Sequence, residues 1–386
     1  MRILAVTTSF PHAADPASGR FVRDLHEGLV AEGHSVFTAH PSHARHATPY
    51  DTRCGSVWPV ALPTDDARTL VGPGGMEANA RAMGVFRARA ALHAVEEAVV
   101  SLARDRLRDA DMVLAHWTYP TGAWMAPLCR RAGKPLVGVA HGGDVRLLGR
   151  PFVGLLPRLR LRGALTGLVA TSRAGADAMV RSLGLSANAV LVTPMGYDPS
   201  VFAAEHGAGA PGGSSGPVVA AGRLIPIKGF DVLIRALEGL GRPLRLAGDG
   251  PERAALGRLA RASGVDVAFL GALSPDALAD EFRRAAVVVV PSRNVAGGSE
   301  GVPLVALEAA ACGTRVIGSA VGGLPDVLPA RALVPPDDVP ALAAALKACL
   351  AGEGAVPTFD PAPYAAPVVA RRISEFLKLR TASFGR

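Results

Sequence analysis

Two cations five residues apart, Arg223 and Lys228, and two carboxylates eight apart, Glu300 and Glu308, are the residues of this sequence best suited to a polyanionic ligand that also carries hydroxyls. Gly222-Arg223 and Lys228-Gly229 frame one loop, and two cations on a single loop can hold a pyrophosphate from one side. Glu300 follows a polar, glycine-containing run and is expected in the first turn of a helix. Glu308 then falls two turns further along and within roughly 80° of it. Backbone N–H groups at Ser299, Gly301, Val302 and Leu304, with the positive end of that helix, are expected to hold phosphate from the other side. Pro303 interrupts this set because it has no N–H. Glu308 can accept both hydroxyls of a ribose, while backbone groups around Gly250 and Leu273 can read a base edge. The plainer alternative leaves Glu300 complementing a helix N-terminus and Glu308 on the surface. No G-x-x-x-x-G-K-[ST] pattern is present, so an ordinary P-loop is not indicated.

These residues need elements that carry them to one sheet edge. The run Val287, Val288, Val289, Val290, closed by Pro291, reads as a strand buried on both faces. A second strand over 314–318 and the Gly322-Gly323 loop complete a β-loop-α-β-loop unit. Further strands are expected at 218–221, 244–247 and 267–270, with helices at 230–240, 275–284 and 339–350. The first half reads as a strand at 2–7, a helix at 20–32 and a strand at 35–39. After an irregular stretch at 41–75 and one long helix at 77–107, strands are expected at 112–115, 136–140, 167–171 and 189–193. Ligands bind beyond the carboxyl ends of strands in open α/β sheets. That rule gathers His116, Trp117, His141 and Asp144 at one edge, while the first loop carries a single glycine, Gly19, at the helix start and no G-x-G-x-x-G, so a dinucleotide site is poorly supported. His116 as a satisfied strand-end histidine and Trp117 as core are the plainer readings. Asp109-Ala110-Asp111 has the letters of a metal-binding D-x-D but precedes its strand, so it reads as a helix–strand turn. The domain boundaries follow: 1–199, a Gly/Ser/Pro-rich linker at 200–217, and 218–364, with a last helix in 365–386 returning to the first domain.

Composition narrows the class. The chain has 386 residues, 49% hydrophobic and only 5% aromatic, which suits two α/β domains. Cys54, Cys129, Cys312 and Cys349 form no C-x-x-C pair, so neither a disulfide frame nor a zinc site is expected, and a cytoplasmic, reducing setting is. No apolar run is long enough to span a bilayer. Net charge is +8, with 22 Lys/Arg against 16 Asp/Glu up to Pro199 and 19 against 17 after it. Part of that excess lies in Arg146, Arg150, Arg158, Arg160 and Arg162, interleaved with leucines. The segment 146–162 reads either as a solvated helix face or as a basic amphipathic patch for peripheral contact with the inner membrane face. Nucleic acid is not an expected partner, since the basic residues lack interleaved aromatics or a reader motif.

The Glu300-x7-Glu308 spacing, Gly222-Arg223 with Lys228-Gly229, Gly248-Asp249-Gly250-Pro251, Pro291-Ser292-Arg293 and Gly322-Gly323 together resemble the retaining glycosyltransferases of family 4 (glycosyl transferases group 1). The resemblance runs over nearly the whole chain. It implies the α/β GT-B fold, two Rossmann-like doubly wound parallel-sheet domains facing a central cleft, with a C-terminal helix crossing back to the first. It implies a nucleotide-diphosphate sugar, UDP- or GDP-linked, as co-substrate, no cofactor and no metal, and transfer of a hexose-type sugar to an acceptor hydroxyl with retention. The acceptor is not named by the sequence: the basic first domain suits a lipid-linked or anionic one, and a soluble natural-product core or aminocyclitol is the alternative. On this resemblance Arg223, Lys228 and Gly19 meet the diphosphate, Glu308 the ribose, Glu300 the donor sugar, and His141 orients donor sugar and acceptor. Two departures stand out: a single Gly19 followed by Arg20 where many members have a Gly-Gly pair, and Pro303 where glycine is frequent. A GT-B epimerase or hydrolase, or a two-domain binding protein without catalysis, are the competing readings.

Overall fold

Strand order is what places the candidate residues. The computed structural model describes residues 1–11, 19–44, 48–72, 75–204, 215–294, 300–352 and 359–384. They form two units: Met1–Thr171 with Gly175–Thr193 and Ala366–Arg386, and Ser172–Ala174 with Pro194–Ala365.

The first unit holds β1 (Arg2–Val6), β2 (Ser35–Ser42), β3 (Tyr50–Thr52), β4 (Gly55–Ala61), β5 (Met112–His116), β6 (Leu136–Ala140), β7 (Gly167–Ala170) and β8 (Val190–Val192). Its sheet order is β3-β4-β2-β1-β5-β6-β7-β8. Every pairing is parallel except β3 with β4. The order reverses between β1 and β5, the topological switch point at which such sheets bind ligands. β5, β6 and β7 are buried along their whole length, as strands covered by helices on both faces must be.

Two expectations fail here for identifiable reasons. The stretch 41–75 is not irregular: β4 pairs in parallel with β2, and a helix, Asp65–Val71, follows, capped by the Thr64 side chain accepting from Ala67 N–H. Pro59 conceals the strand. It is tolerated because β3 pairs with β4 only at Gly55–Val57, so the β3 side is open at Pro59. The expected single helix 77–107 is two, Met76–Met83 and Val85–Leu107, parted at Gly84, whose φ of 78 leaves the helical region.

The second unit holds β9 (Val218–Ala221), β10 (Leu244–Ala247), β11 (Val267–Gly271), β12 (Val287–Val290), β13 (Val316–Ser319) and β14 (Leu333–Val334), in the order β11-β10-β9-β12-β13-β14, all parallel. Counted from β9 this is the 3-2-1-4-5-6 order of the Rossmann fold, with the switch point between β9 and β12. All four valines of β12 are buried, each contributing roughly 1.5–3 kcal/mol of apolar burial. Residues 194–199 pack here: Tyr197 N–H donates to the Tyr364 carbonyl at 3.1 Å. The expected linker falls largely on residues 205–214, outside the described residues.

The last helix, Ala366–Ala382, belongs to the first unit and packs on the helix Arg20–Ala31. His34 Nε2 and Ser374 Oγ lie 2.7 Å apart, and Arg371 pairs with Glu32 at 3.2 Å. Gly28 permits this approach, since a Cβ there would sit 2.3 Å from the Ala370 Cβ. Alanine normally favours a helix interior over glycine by about 1 kcal/mol, whereas overpacking costs about 1–3 kcal/mol. The contact should win. Gly28→Ala is expected to lower the melting temperature, and adding Ala370→Gly to restore it. A higher melting temperature for Gly28→Ala alone would refute the packing argument.

Candidate functional site

In the second unit the loops after β9 and β12 meet at the switch point. After β9 the backbone turns through Gly222 (φ 148), exposes Arg223, and makes a short 3-10 turn, Pro226–Lys228. Gly229 (φ 65) then starts the helix Phe230–Ala236, and a Cβ on it would lie 2.0 Å from the Pro291 carbonyl oxygen. The Lys228 stem folds over Gly222, and its Nζ donates to Glu300 Oε2 at 2.9 Å. Ser292 Oγ, fully buried, donates to the same oxygen at 3.1 Å. Next to it Arg293 is tied back to the first loop, its N–H to the Ile227 carbonyl at 2.9 Å and its guanidinium to Asp231 at 2.6 Å.

Glu300 does not sit in a helix. The helix carrying Glu308 is Leu304–Ala311, with Pro303 as its N-cap residue, so Glu300 lies in the preceding loop and the expected 80° relation is void. Proline disfavours helical backbone at the residue before it, and Val302 therefore cannot extend the helix backwards. A different contact holds Glu300: a Cβ on Gly322 (φ 60) would be 2.3 Å from its carbonyl oxygen, and Gly323 N–H donates to the Gly301 carbonyl at 3.2 Å. The N–H groups of Gly301, Val302 and Leu304 donate to no acceptor among the described residues. Ser299 lies outside the described residues. Glu308 is placed deeper than expected, at 3% exposure. Gly250 donates its N–H to Asp249 Oδ1, and Leu273 packs on the core. Gly250 lines a groove of about 600 Å³ with Arg253, Arg258, Arg261 and Phe269, a lining that includes neither Lys228 nor Glu300.

The first unit places a chain of imidazoles at its own switch point. Thr38 Oγ1 lies 2.9 Å from His26 Nδ1, His26 Nε2 lies 3.1 Å from His116 Nε2, and His116 Nδ1 lies 3.2 Å from His141 Nε2. Thr38, His26 and His116 are fully buried. His141 keeps some exposed surface, yet its ring is enclosed by Phe21, Trp117 and His116 at centroid distances of 5.0, 4.7 and 5.5 Å. Burial pushes His26 and His141 down to about 3, and burial together with its two neighbouring imidazoles takes His116 well below the ordinary range. Trp117 adopts φ 58, rare for a bulky residue, and Thr121 Oγ1 is hydrogen-bonded to both the His116 and Trp117 carbonyls.

Gly19 (φ 69) starts the helix Arg20–Ala31, and a Cβ on it would meet the Ser9 carbonyl at 2.5 Å. Arg20 turns to Asp24 at 4.0 Å. Asp111 of the D-x-D accepts from the backbone and side chain of Arg2, a structural role. No group of three or more His, Cys, Asp or Glu is arranged to hold a metal ion among the described residues. Sequence reasoning gives His26 no role and names Ser292 only within the Pro291-Ser292-Arg293 motif. The signal for His26 was its place in the buried stripe Val22, Leu25, His26, Leu29.

The segment 146–162 folds as two helices, Gly143–Gly149 and Pro151–Leu161. Its arginines turn back onto the protein: Arg146 and Arg150 to Glu77, Arg160 to Glu96, Arg158 and Arg162 to the Leu148 and Ser182 carbonyls. The outward face is instead apolar, with Val153, Leu155, Leu156 and Leu159 at 44–64% exposure. No helix of the described residues is long and apolar enough to cross a membrane.

Asp144 Oδ1 accepts the N–H groups of His141 at 2.9 Å and Gly142 at 3.0 Å, while Oδ2 is buried with no partner among the described residues. Burial raises its pKa from 3.8 to about 6 against the opposing pull of those backbone donors. Such a carboxyl stabilises the fold when protonated, and that contribution is lost as pH rises through the folded value, by about 3 kcal/mol in all. Asp144→Asn should therefore gain stability relative to the parent between pH 4 and 6.5 and hold that gain above it. A pH-independent difference in unfolding midpoints would contradict this.

Comparison with known proteins gives a consistent family. Residues 18–201 match the description Glycosyltransferase Family 4, and residues 216–352 match Glycosyl transferases group 1. A D-inositol 3-phosphate glycosyltransferase of Stackebrandtia nassauensis is 34% identical over 247 residues, covering 55% of this chain and 54% of that protein. A GDP-mannose-dependent alpha-(1-6)-phosphatidylinositol monomannoside mannosyltransferase of Mycolicibacterium smegmatis is 33% identical over 222 residues, covering 53% and 58%. The chain thus spans about half the length of the curated relatives it matches. Among solved structures, a sucrose-phosphate synthase from Thermosynechococcus elongatus aligns with TM-score 0.70 at 23% identity over 100% of this chain and 98% of its own. Anabaena HepE in complex with UDP and glucose aligns with TM-score 0.70 at 17% identity over 98% and 100%. With its two Rossmann-like parallel sheets and both family matches, the chain belongs to the family 4 glycosyltransferases of GT-B fold.

Proposed function

We propose that this chain transfers a hexose-type sugar from a UDP- or GDP-linked donor to an acceptor hydroxyl, with retention and without a metal ion. The observation that carries the proposal is the Lys228–Glu300–Ser292 cluster at the β9/β12 switch point, beside the open N–H groups of Gly301, Val302 and Leu304. Without ligand, Glu300 neutralises Lys228. An entering diphosphate competes for that ammonium, and Arg223 on the same loop adds a second cation. Glu300 is then released to accept hydrogen bonds from sugar hydroxyls, so donor binding and arming of the carboxylate are one event. As the glycosidic bond breaks, charge grows on the leaving diphosphate, where fixed cations and N–H groups stabilise it most. A phosphate oxygen of that leaving group takes the acceptor proton on the same face, which gives retention. His141 and Trp117 line the acceptor side of the first unit. A UDP complex of a structural neighbour and a GDP-mannose-dependent relative support the donor class.

The test is a thermal-shift and turnover series. UDP or GDP at about 100 times its Kd should stabilise the protein by about 2.7 kcal/mol, and EDTA should not alter turnover. Lys228→Ala should lose the shift and about 10²–10³-fold in turnover. Glu300→Gln should bind the nucleotide at least as tightly as the parent, because Lys228 is freed, yet lose turnover to a similar degree. Full turnover by a folded Lys228→Ala protein would sink the phosphate assignment. Release of free sugar or an epimer in place of a glycoside would favour a hydrolase or epimerase.

A lipid-linked acceptor, of the kind named in the mannosyltransferase relative, fits the exposed leucines of Pro151–Leu161. The parent should co-sediment with vesicles containing phosphatidylglycerol. The triple variant Leu155→Ser, Leu156→Ser, Leu159→Ser should stay in the supernatant. A parent protein that never sediments would remove the membrane from the proposal.

A further inference from the structure

We infer that the Thr38 hydroxyl sets the direction of the buried imidazole chain, so that His141 presents an Nδ1–H donor, and not a lone pair, to the ligand of the first unit. Thr38, in β2, is fully buried, and His26 Nδ1 at 2.9 Å is the one partner its hydroxyl has among the described residues. A hydroxyl carries one proton and can both donate and accept. Were His26 Nδ1–H the donor, the Thr38 proton would be buried with no acceptor, which disfavours that arrangement by roughly tenfold or more. Thr38 therefore donates, and His26 Nδ1 holds a lone pair.

The rest follows link by link. A neutral imidazole has one N–H and one acceptor nitrogen. His26 thus carries its proton on Nε2 and donates to His116 Nε2 at 3.1 Å. His116 carries its proton on Nδ1 and donates to His141 Nε2 at 3.2 Å. His141 is left with its proton on Nδ1, which has no partner among the described residues and is not among the buried unsatisfied atoms. With Thr38 donating, an imidazolium anywhere in the chain would set two donors against each other, and burial opposes that charge at each ring. His26, His116 and Thr38 become positioning residues for His141, which needs an oxygen lone pair from its ligand: a sugar hydroxyl or ring oxygen, or a phosphate oxygen. That consequence for transfer rests on the proposed function; the tautomers do not.

The test is long-range ¹H–¹⁵N spectroscopy of the full chain labelled with ¹⁵N-histidine, which distinguishes Nδ1–H, Nε2–H and cationic rings. The expected pattern is Nε2–H at His26 and Nδ1–H at His116 and His141. The reverse pattern, or a cationic ring at neutral pH, overturns the inference. Thr38→Ser should keep the pattern, and Thr38→Val, which removes the hydroxyl but little volume, should mix or reverse it. An unchanged pattern in Thr38→Val overturns the role of Thr38. In turnover, Thr38→Val should lose several-fold in kcat with KM for the nucleotide sugar unchanged, and Thr38→Ser should retain both. If the parent transfers no sugar to any acceptor while the tautomers are as expected, the proposed function fails and this inference stands.

Discussion

The second unit depends on three places where one loop backbone lies against another with no room for a side chain. A Cβ at Gly229 would meet the Pro291 carbonyl at 2.0 Å, one at Gly248 the Gly222 carbonyl at 2.0 Å, and one at Gly322 the Glu300 carbonyl at 2.3 Å. Each of these glycines also has a positive φ, so a side chain there is strained as well as crowded. Together they draw the loops after β9, β10, β12 and β13 into one surface. Lys228 and Glu300, which are 72 residues apart in sequence, come within hydrogen-bond reach because Gly229 lies against Pro291 and Gly322 lies against Glu300. Packing density at the loops, and not helix geometry, places the carboxylate.

That placement has an electrostatic consequence. An ammonium left alone in a part-buried loop loses hydration, while one fully committed to a carboxylate is a poor anion receptor. Lys228 and Glu300 stay 17% and 23% exposed, so their pairing is a moderate attraction, as the exchange in the proposed function requires. A second pair in the same unit, Arg293 with Asp231, is about as exposed, at 20% and 26%, but it is reinforced by Arg235 and holds the Asp231 pKa down against its burial. Arg293, held by both Asp231 and the Ile227 carbonyl, therefore serves to brace the loops.

Much of this was legible in the residues. The Val287–Val290 run gave β12, and the glycine motifs gave the switch-point loops, because both signals are local. Glu300 was misplaced because charge spacing was read as helix spacing, although Val302-Pro303 carried the opposite instruction. β4 was hidden because Pro59 reads as a strand breaker unless the neighbouring strand is known to be short. The Gly84 break was legible and overridden by the length of the periodic pattern. The imidazole chain was the least accessible feature: His26, His116 and His141 lie on a helix, a strand end and a loop, and nothing local relates their ring nitrogens. Only the β1/β5 reversal of strand order brings them together.

The first unit carries the features that stability alone would not retain. Three neutral histidines in a row, a carboxyl with one oxygen unsatisfied, and a tryptophan at φ 58 all lie within the turns after β5 and β6 or touch them. An apolar replacement of Thr38, His26 and His116 together would remove three fully buried polar groups without stranding any of them, and leave only the part-exposed His141 to find a new partner. Buried strain concentrated at one sheet edge marks a place where geometry is held for a ligand. By contrast the cluster in the second unit is built from satisfied groups around an exchangeable ion pair. The two units thus differ in kind: one holds an uncharged hydrogen-bonded wall of imidazoles, and the other a part-exposed ion pair which, on the proposed function, changes partners when the donor arrives.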